Sequence, residues 1–261
     1  MRVIVPIKQM LDPSGITVRR DKERIFVNRE EYIIEPGSKA ALEAALRLKD
    51  AGEVEVVAIS VGDLQADDAL REALAMGCDA EYLLCDGAFE EADISVTVRV
   101  LAAAVERLGG AELIVTGRES GDTGAGQIGP RLAEALGFAQ VTDVCALEMA
   151  DGAVQATRRW GADYATVLAS LPAVMTIAPE AFPPRYAHGA RIMNAYQEWD
   201  VPQWTLAELD LDDTELEPLL TLRGESFPPP LEVGEEFRGD PTVVAREVVA
   251  ALRLQGHVRA G

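Results

Sequence analysis

The chain has 261 residues, is 48% hydrophobic and carries a formal charge of −20 at neutral pH. That length and apolar content suit one large α/β domain, or one domain with a tail. The acidity argues against nucleic acid and anionic membrane surfaces as partners, because both want a basic face; its ordinary meaning is solubility. Cys78, Cys85 and Cys145 are odd in number and form no Cys-x-x-Cys pair, so neither a disulfide framework nor a zinc site is expected. No apolar run is long enough to cross a bilayer, and Met1 to Val5 enters a strand directly, so no membrane insertion, no leader and a cytoplasmic location are expected.

In chain order, residues 2–9 are an apolar run of the kind a central parallel strand requires. Pro6 lacks a ladder donor and is tolerated only at a strand end. Residues 11–35 form a charged excursion with short strands at Ile16–Arg19 and Arg24–Val27. Pro36 opens a helix that Gly52 ends. Then come a strand at Glu53–Val61, a helix at Ala66–Met76, a strand at Glu81–Cys85, a helix at Asp93–Leu108 and a strand at Ala111–Thr116. Strands alternating with helices at this spacing predict βαβ units and a parallel sheet, with ligands beyond the carboxyl ends of the strands. After Phe138 the pattern changes. Val144–Met149, Val154–Trp160 and Tyr164–Ser170 read as an antiparallel meander, turned by the hairpin signal Asp151-Gly152. Pro172–Ile177 is a last apolar strand. Residues 180–240 are rich in proline and acid, with Pro228-Pro229-Pro230 as a stiff segment, and 241–254 form a helix whose apolar face needs a partner.

The stretch Gly117 to Leu136 carries the most chemistry. A buried strand leads into a loop with Gly121, Gly124, Gly126 and Gly129, and a helix begins near Gln127. Strand, glycine loop and helix N-terminus together offer free N–H groups and a favourable dipole to a phosphate. The competing reading is a flexible lid. Gly124-Ala125-Gly126-Gln127-Ile128-Gly129 matches G-x-G-x-x-G, but it follows the fourth strand rather than the first, which argues against a dinucleotide fingerprint. The loop also lacks the Lys-Ser/Thr pair of a P-loop. Catalytic side chains are sparse. The histidines are His188 and His257, and no Gly-x-Ser-x-Gly elbow occurs. Arg158, Arg159 and Arg185 suit either pairing with nearby acids or contact with an anionic ligand. Such a chain reads as a binder or carrier whose chemistry resides in a cofactor.

Several stretches in order resemble the beta subunit of the electron transfer flavoproteins: Val3 to Gln9, Ala41 to Lys49, Arg71 to Asp79, the loop from Thr116 to Pro130, Leu171 to Val174, and Pro184-Arg185-Tyr186 followed by Ile192-Met193. The resemblance runs from residue 2 to about residue 200. It implies an α/β fold of the adenine-nucleotide alpha-hydrolase type: a Rossmann-like parallel sheet with flanking helices, added antiparallel strands and an extended C-terminal arm. A nucleotide-binding domain over residues 1–199 and an arm over 200–261 that wraps the partner follow from it. The resemblance further implies a heterodimer with an alpha subunit that holds most of an FAD, and AMP or a second FAD in the beta subunit's own site. Electrons would pass from an acyl-CoA or other dehydrogenase through the flavin to a quinone oxidoreductase or another acceptor. Carried over by motif, the nucleotide site would comprise Pro6, Glu35, Pro36, Gly37, Ser38, Val61, Gly121, Asp122, Thr123, Gly124, Ala125, Gly126, Gln127, Ile128 and Gly129.

The chain departs from the family at several positions. Glu35 stands where the family usually has Asn, Pro13 and Gly37 stand where aromatics are common, Gly189 replaces a leucine, and only Asp122 remains of an acidic run. Glu35 would either repel a phosphate or hold a ribose hydroxyl. The leading expectation is an electron carrier with no bond-making catalysis of its own. The alternatives are a stand-alone adenine-nucleotide sensor of related fold and an adenylating or nucleotide-hydrolysing enzyme.

Overall fold

The computed structural model describes residues 1–89, 92–150, 152–221, 223–224, 226–229 and 234–258. Its contacts divide the chain into two units, Met1–Arg223 and Gly224–Gly261.

In the first unit, strand β1 (Arg2–Pro6) is followed by β2 (Gln9–Leu11), β3 (Ile16–Arg19), β4 (Arg24–Val27) and β5 (Tyr32–Ile34). Helix α1 (Pro36–Ala51), strand β6 (Glu55–Val61), helix α2 (Asp67–Met76), strand β7 (Ala80–Leu84), helix α3 (Ile94–Arg107), strand β8 (Leu113–Gly117) and helix α4 (Ile128–Leu136) then alternate. Strands β9 (Ala139–Ala150), β10 (Ala153–Trp160), β11 (Asp163–Ser170) and β12 (Ala173–Ile177) precede helix α5 (Gly189–Gln197) and the short β13 (Gln203–Trp204).

Nine strands form one sheet in the order β11-β10-β9-β12-β8-β1-β6-β7-β13. From β9 to β13 neighbours run parallel, and β10 and β11 add the antiparallel edge. The apolar continuity of the central strands has a direct cause: both faces are covered. Val3, Val5, Ala58, Leu113 and Val115 enter one buried cluster with α1 and α2. Their alternates Ile4, Val57, Ile59 and Ile114 enter a second cluster with α3 and α4. A period of two on a sheet covered on both faces gives unbroken apolar runs.

The expected α/β architecture with added antiparallel strands is present, and the expected short strands Ile16–Arg19 and Arg24–Val27 form and pair as a hairpin. Other boundaries differ. The run 2–9 splits, because Pro6 ends β1 and Gln9–Leu11 leaves the main sheet to pair with Tyr32–Ile34. Strand β9 is longer than Val144–Met149, since its first half pairs with β12 and its second half with β10. Asp151 of the hairpin signal and Pro230 of the triproline lie outside the described residues, while Gly152 has the left-handed φ of +79° such a turn requires.

Within the stretch expected as an arm from residue 200 onward, Gln203–Trp204 pairs with β7 at the edge of the sheet. Leu83 N donates to Pro202 O and Cys85 N to Trp204 O. Trp204 stacks on Tyr82 with ring centroids 4.3 Å apart, and Leu209 and Leu216 are buried in the second cluster. In the second unit, α6 (Pro241–Leu254) is capped by Asp240, whose carboxylate accepts from Thr242 N and Val243 N. Its Val243, Val249, Leu252 and Leu254 are exposed. Among the described residues no helix is long and apolar enough to cross a membrane, and no group of three or more His, Cys, Asp or Glu could hold a metal ion.

Candidate functional site

The chain leaves β1 toward β6 and β7 on one side and reaches β8 on the other. That reversal is the point where open parallel sheets take their ligands. A cleft of about 350 Å³ lies there, at the carboxyl ends of β1, β6 and β8. Its floor and walls are Pro6, Ile7 and Lys8, Val61 and Gly62, and the segment Thr116 to Ser120. Glu35 and Ser38 from the start of α1 line it, as do Ile94, Thr97 and Leu101 of α3 with Phe89 and Ala92 before it. Thr123, Ala125, Gly126, Gln127 and Ile128 complete it. A larger depression of about 1040 Å³ lies at the opposite, amino ends of the strands. There Arg2 pairs with Glu55 at 2.8 Å and its backbone N donates to the Glu112 carboxylate, and none of the lining residues begins a helix.

Three helices begin at the cleft, and their ends differ. At α1, the Glu35 carboxylate accepts from Ser38 N at 2.7 Å, and Glu35 is only 3% exposed. At α3, Asp93 accepts from Val96 N at 2.9 Å. Burial raises the Asp93 pKa, but bonds from the backbone of Val96, Leu220, Leu219 and Ser95 outweigh it and hold the carboxyl below its ordinary value. At α4, Gln127 makes no side-chain cap. Its first N–H groups therefore remain open to an acceptor from outside.

The backbone around this end is close-fitted. A Cβ on Gly129 would lie 2.4 Å from Thr176 Cγ2 and 2.9 Å from Thr116 Oγ1, so glycine lets α4 sit directly on β8 and β12. A Cβ on Gly117 would lie 2.8 Å from the Gly37 carbonyl carbon, where the end of β8 passes over the start of α1. Gly124 and Gly126 take left-handed φ of +60° and +62°, with no atom near enough to a built Cβ at Gly124 to crowd it. Within the loop, Gly124 N donates to Ser120 O, Thr123 N to Asp122 Oδ1, and the Ser120 and Thr123 hydroxyls share a bond of 2.9 Å.

Two cations reach the cleft among the described residues. Lys8 Nζ lies 2.6 Å from Asp122 Oδ2 and ties the glycine loop to the end of β1. Partial burial raises the Asp122 pKa, yet the bonds from Lys8 and Ser120 and the Lys8 charge prevail, leaving it below the usual carboxylate value. Arg118 is held between Glu119 at 2.6 Å and Asp143 at 3.2 Å, and these acids raise its pKa against the opposing effect of burial.

Of the expected site residues, Pro6, Glu35, Ser38, Val61, Thr123, Ala125, Gly126, Gln127 and Ile128 line one cavity. Pro36, Gly37, Gly121, Asp122, Gly124 and Gly129 are not in the lining: the first two and Gly129 shape the starts of α1 and α4, while Gly121, Asp122 and Gly124 are exposed members of the loop. The sequence reading missed Lys8, Phe89, Ile94, Thr97, Arg118, Glu119 and Ser120. Lys8 and Arg118 carried a usable signal, since Arg118 directly follows β8 and Lys8 lies two residues beyond the end of β1. The other three arginines pair within the chain: Arg185 with Glu43 and Asp50, Arg159 with Asp143 and Glu180, and Arg158 with Thr142. His188 caps α5 by accepting from Ala190 N.

Comparison with known proteins agrees with the fold. Residues 24–208 match the electron transfer flavoprotein domain. The chain is 33% identical to the electron transfer flavoprotein subunit beta of Clostridium acetobutylicum, over 99% of its own length and 92% of the relative's. Identity to the Bacillus subtilis subunit beta is also 33%, over 99% of the chain and 100% of the relative. Subunit CarD of the caffeyl-CoA reductase-Etf complex of Acetobacterium woodii is 32% identical over 97% of the chain and 98% of that protein. The chain therefore belongs to the electron transfer flavoprotein family, as an electron carrier of the beta-subunit type.

Proposed function

We propose that the chain pairs with an alpha-type subunit to share an FAD, and that its own cleft binds an adenine nucleotide, AMP or the adenylate half of a second FAD. The observation that carries this reading is the inequality of the three helix ends. Carboxylates of the chain close α1 and α3, while α4 stays open beside a glycine loop. An anion is accepted at such an end and refused at the other two. The opposite wall, with Val61, Phe89, Ile94 and Leu101, suits a flat heteroaromatic base. A volume of about 350 Å³ is near the lower bound for small-molecule sites, which favours a mononucleotide or one half of a dinucleotide.

The flavin supplies the redox chemistry when bound. The chain's part is binding and orientation. Glu35 holds the start of α1, Gly129 seats α4 on the sheet, and Asp122 with Lys8 fixes the loop. The exposed apolar side of α6 suits burial against the alpha-type subunit. Tyr186 is 100% exposed, follows the doubly paired Arg185, and stands near Met193, Tyr196 and Trp199 in sequence, all exposed. An aromatic strip on an anchored segment suits transient docking of a donor dehydrogenase; a quinone oxidoreductase or another acceptor would take the electrons onward.

The test is co-expression with alpha-type subunits from the same genome, followed by a visible spectrum and identification of released nucleotides. A yellow heterodimer releasing FAD and AMP is the expected result, and two FADs would assign the second nucleotide. A colourless monomer binding ATP would overturn the reading in favour of a stand-alone sensor.

A further inference from the structure

The cleft has to distinguish a phosphorylated nucleotide from a nucleoside, and its charges leave few ways to do so. The starts of α1 and α3 are occupied by Glu35 and Asp93. The open start of α4 contributes partial charges only, and Pro130 removes one N–H from its first turn. A full positive charge must come from Lys8 or Arg118, the two cationic side chains among the described lining residues. Arg118 is committed to two carboxylates, one on either side of its guanidinium. Lys8 has one ion-pair partner, Asp122, which belongs to the glycine loop itself. Both members of that pair are about two-fifths exposed at the side chain, so an incoming anion can reach the ammonium. The lysine stem is flexible and its charge is a point, so it moves between acceptors with little rearrangement.

We propose that Lys8 is the phosphate-reading residue of this cleft, and that Asp122 is an internal stand-in anion which a nucleotide phosphate displaces from Lys8 on binding. Asp122 then remains tied to the loop through Thr123 N and Ser120, so the loop keeps its shape while the cation changes partner. The inference rests on the adenine-nucleotide reading above and assigns the charge that selects among adenine compounds. It also explains how a carboxylate survives at the mouth of an anion site. Unoccupied, the site is neutralised internally; occupied, the ammonium faces the phosphate.

Calorimetric titration of the full chain, co-purified with its alpha-type partner and stripped of nucleotide, tests this with AMP and adenosine as probes. The wild type is expected to bind AMP at least tenfold more tightly than adenosine. Lys8→Met should remove that preference while leaving adenosine affinity within twofold, because one charge-assisted contact is worth about that factor or more. Lys8→Arg should keep most of the preference, and Asp122→Asn should tighten AMP severalfold without changing adenosine. If the wild type prefers AMP and Lys8→Met prefers it equally, Lys8 is not the reader. Weaker AMP binding in Asp122→Asn would overturn the displacement. Equal wild-type affinity for both probes would overturn the phosphate-reading role but leave the adenine site standing, whereas binding of neither would overturn the site itself.

Discussion

The starts of α1 and α4 face the same cleft and are built from similar parts, a strand end followed by a turn with glycine, yet they do opposite things. At α1 a buried carboxylate of the chain completes the helix. At α4 the Gln127 side chain does not, and the loop before it carries two glycines, Gly124 and Gly126, in left-handed conformations. The N–H groups left unsatisfied at a helix start become either a structural joint or a place for a ligand, depending on whether the chain supplies the acceptor. Both ends are packed tightly at the backbone, through Gly37 under Gly117 and through Gly129 on Thr116 and Thr176. The difference therefore lies in the acceptor and not in the closeness of fit.

The largest expected effect comes from disturbing the fit at α4. Gly129→Val places atoms where Thr176 Cγ2 stands 2.4 Å from a built Cβ, and Thr176 is buried in β12 between β8 and β9. Neither strand can yield without breaking ladder bonds, so α4 must move outward. A loss of about 3 kcal/mol is expected, at the upper end of overpacking costs. Denaturant unfolding of the heterodimer-free chain measures it. A loss under about 0.5 kcal/mol would mean that α4 floats, and the contrast between the helix starts would then lose its structural half.

The next test concerns what a buried carboxylate costs without a helix start to serve. Glu35 and Glu81 are each 3% exposed. Glu35 meets Ser38 N, whereas Glu81 Oε2 has no hydrogen-bond partner among the described residues. Burial pushes the Glu81 pKa up to about 7, with the Arg71 charge opposing the rise and Asp67 adding to it. Because the folded value lies above the unfolded one, the contribution of Glu81 to stability is fully present below about pH 4.5. It is lost progressively as pH rises to about 7 and stays lost above. A shift of that size corresponds to a limit of about 3 kcal/mol. An amide at the same place leaves its own donors unmet, so Glu81→Gln should gain roughly 2 kcal/mol on the wild type between pH 5 and pH 8. Unfolding curves of both proteins at the two pH values measure the difference. A difference independent of pH would mean that Glu81 does not titrate over this range.

How much of this was legible in the sequence follows the same division. The alternating runs Val3 to Ile7, Val56 to Ile59 and Leu113 to Val115 announce a covered parallel sheet, because burial on both faces removes polar interruptions. The glycine loop was legible through residue type and its place after a strand. Residues 200–223 were not. Their prolines and acids mask a two-residue strand, Gln203–Trp204, and a few apolar anchors, and such short pairing leaves no period to detect. Helix α5 was hidden for a related reason: of its nine residues only Ala195 is buried, so it carries no apolar face of helical width. Lys8 and Arg118 were overlooked because single charges at strand ends look like solvated termini until the fold brings them to one opening.

The smallest effect addresses the acceptor at α1 directly. Glutamate is not among the preferred residues at a helix N-cap, and here it reaches Ser38 N from a position with φ of −53° and ψ of 133°, ahead of Pro36 in the first turn. Proline removes one of the donors that would otherwise need an acceptor, so a single carboxylate bond goes further than usual. Glu35→Ala should cost about 1 kcal/mol, the typical loss of an N-cap. Glu35→Ser should recover most of it, because the shorter hydroxyl is a favoured cap at the same backbone geometry. Differential scanning calorimetry of the three proteins distinguishes the cases. If Ser proves no better than Ala, the role of Glu35 is to fill space beside Gly37, whose built Cβ would lie 3.0 Å from Glu35 Oε2. The two helix starts would then differ only in glycine content, and the closure of α1 against anions would have to be attributed to the charge of Glu35 alone.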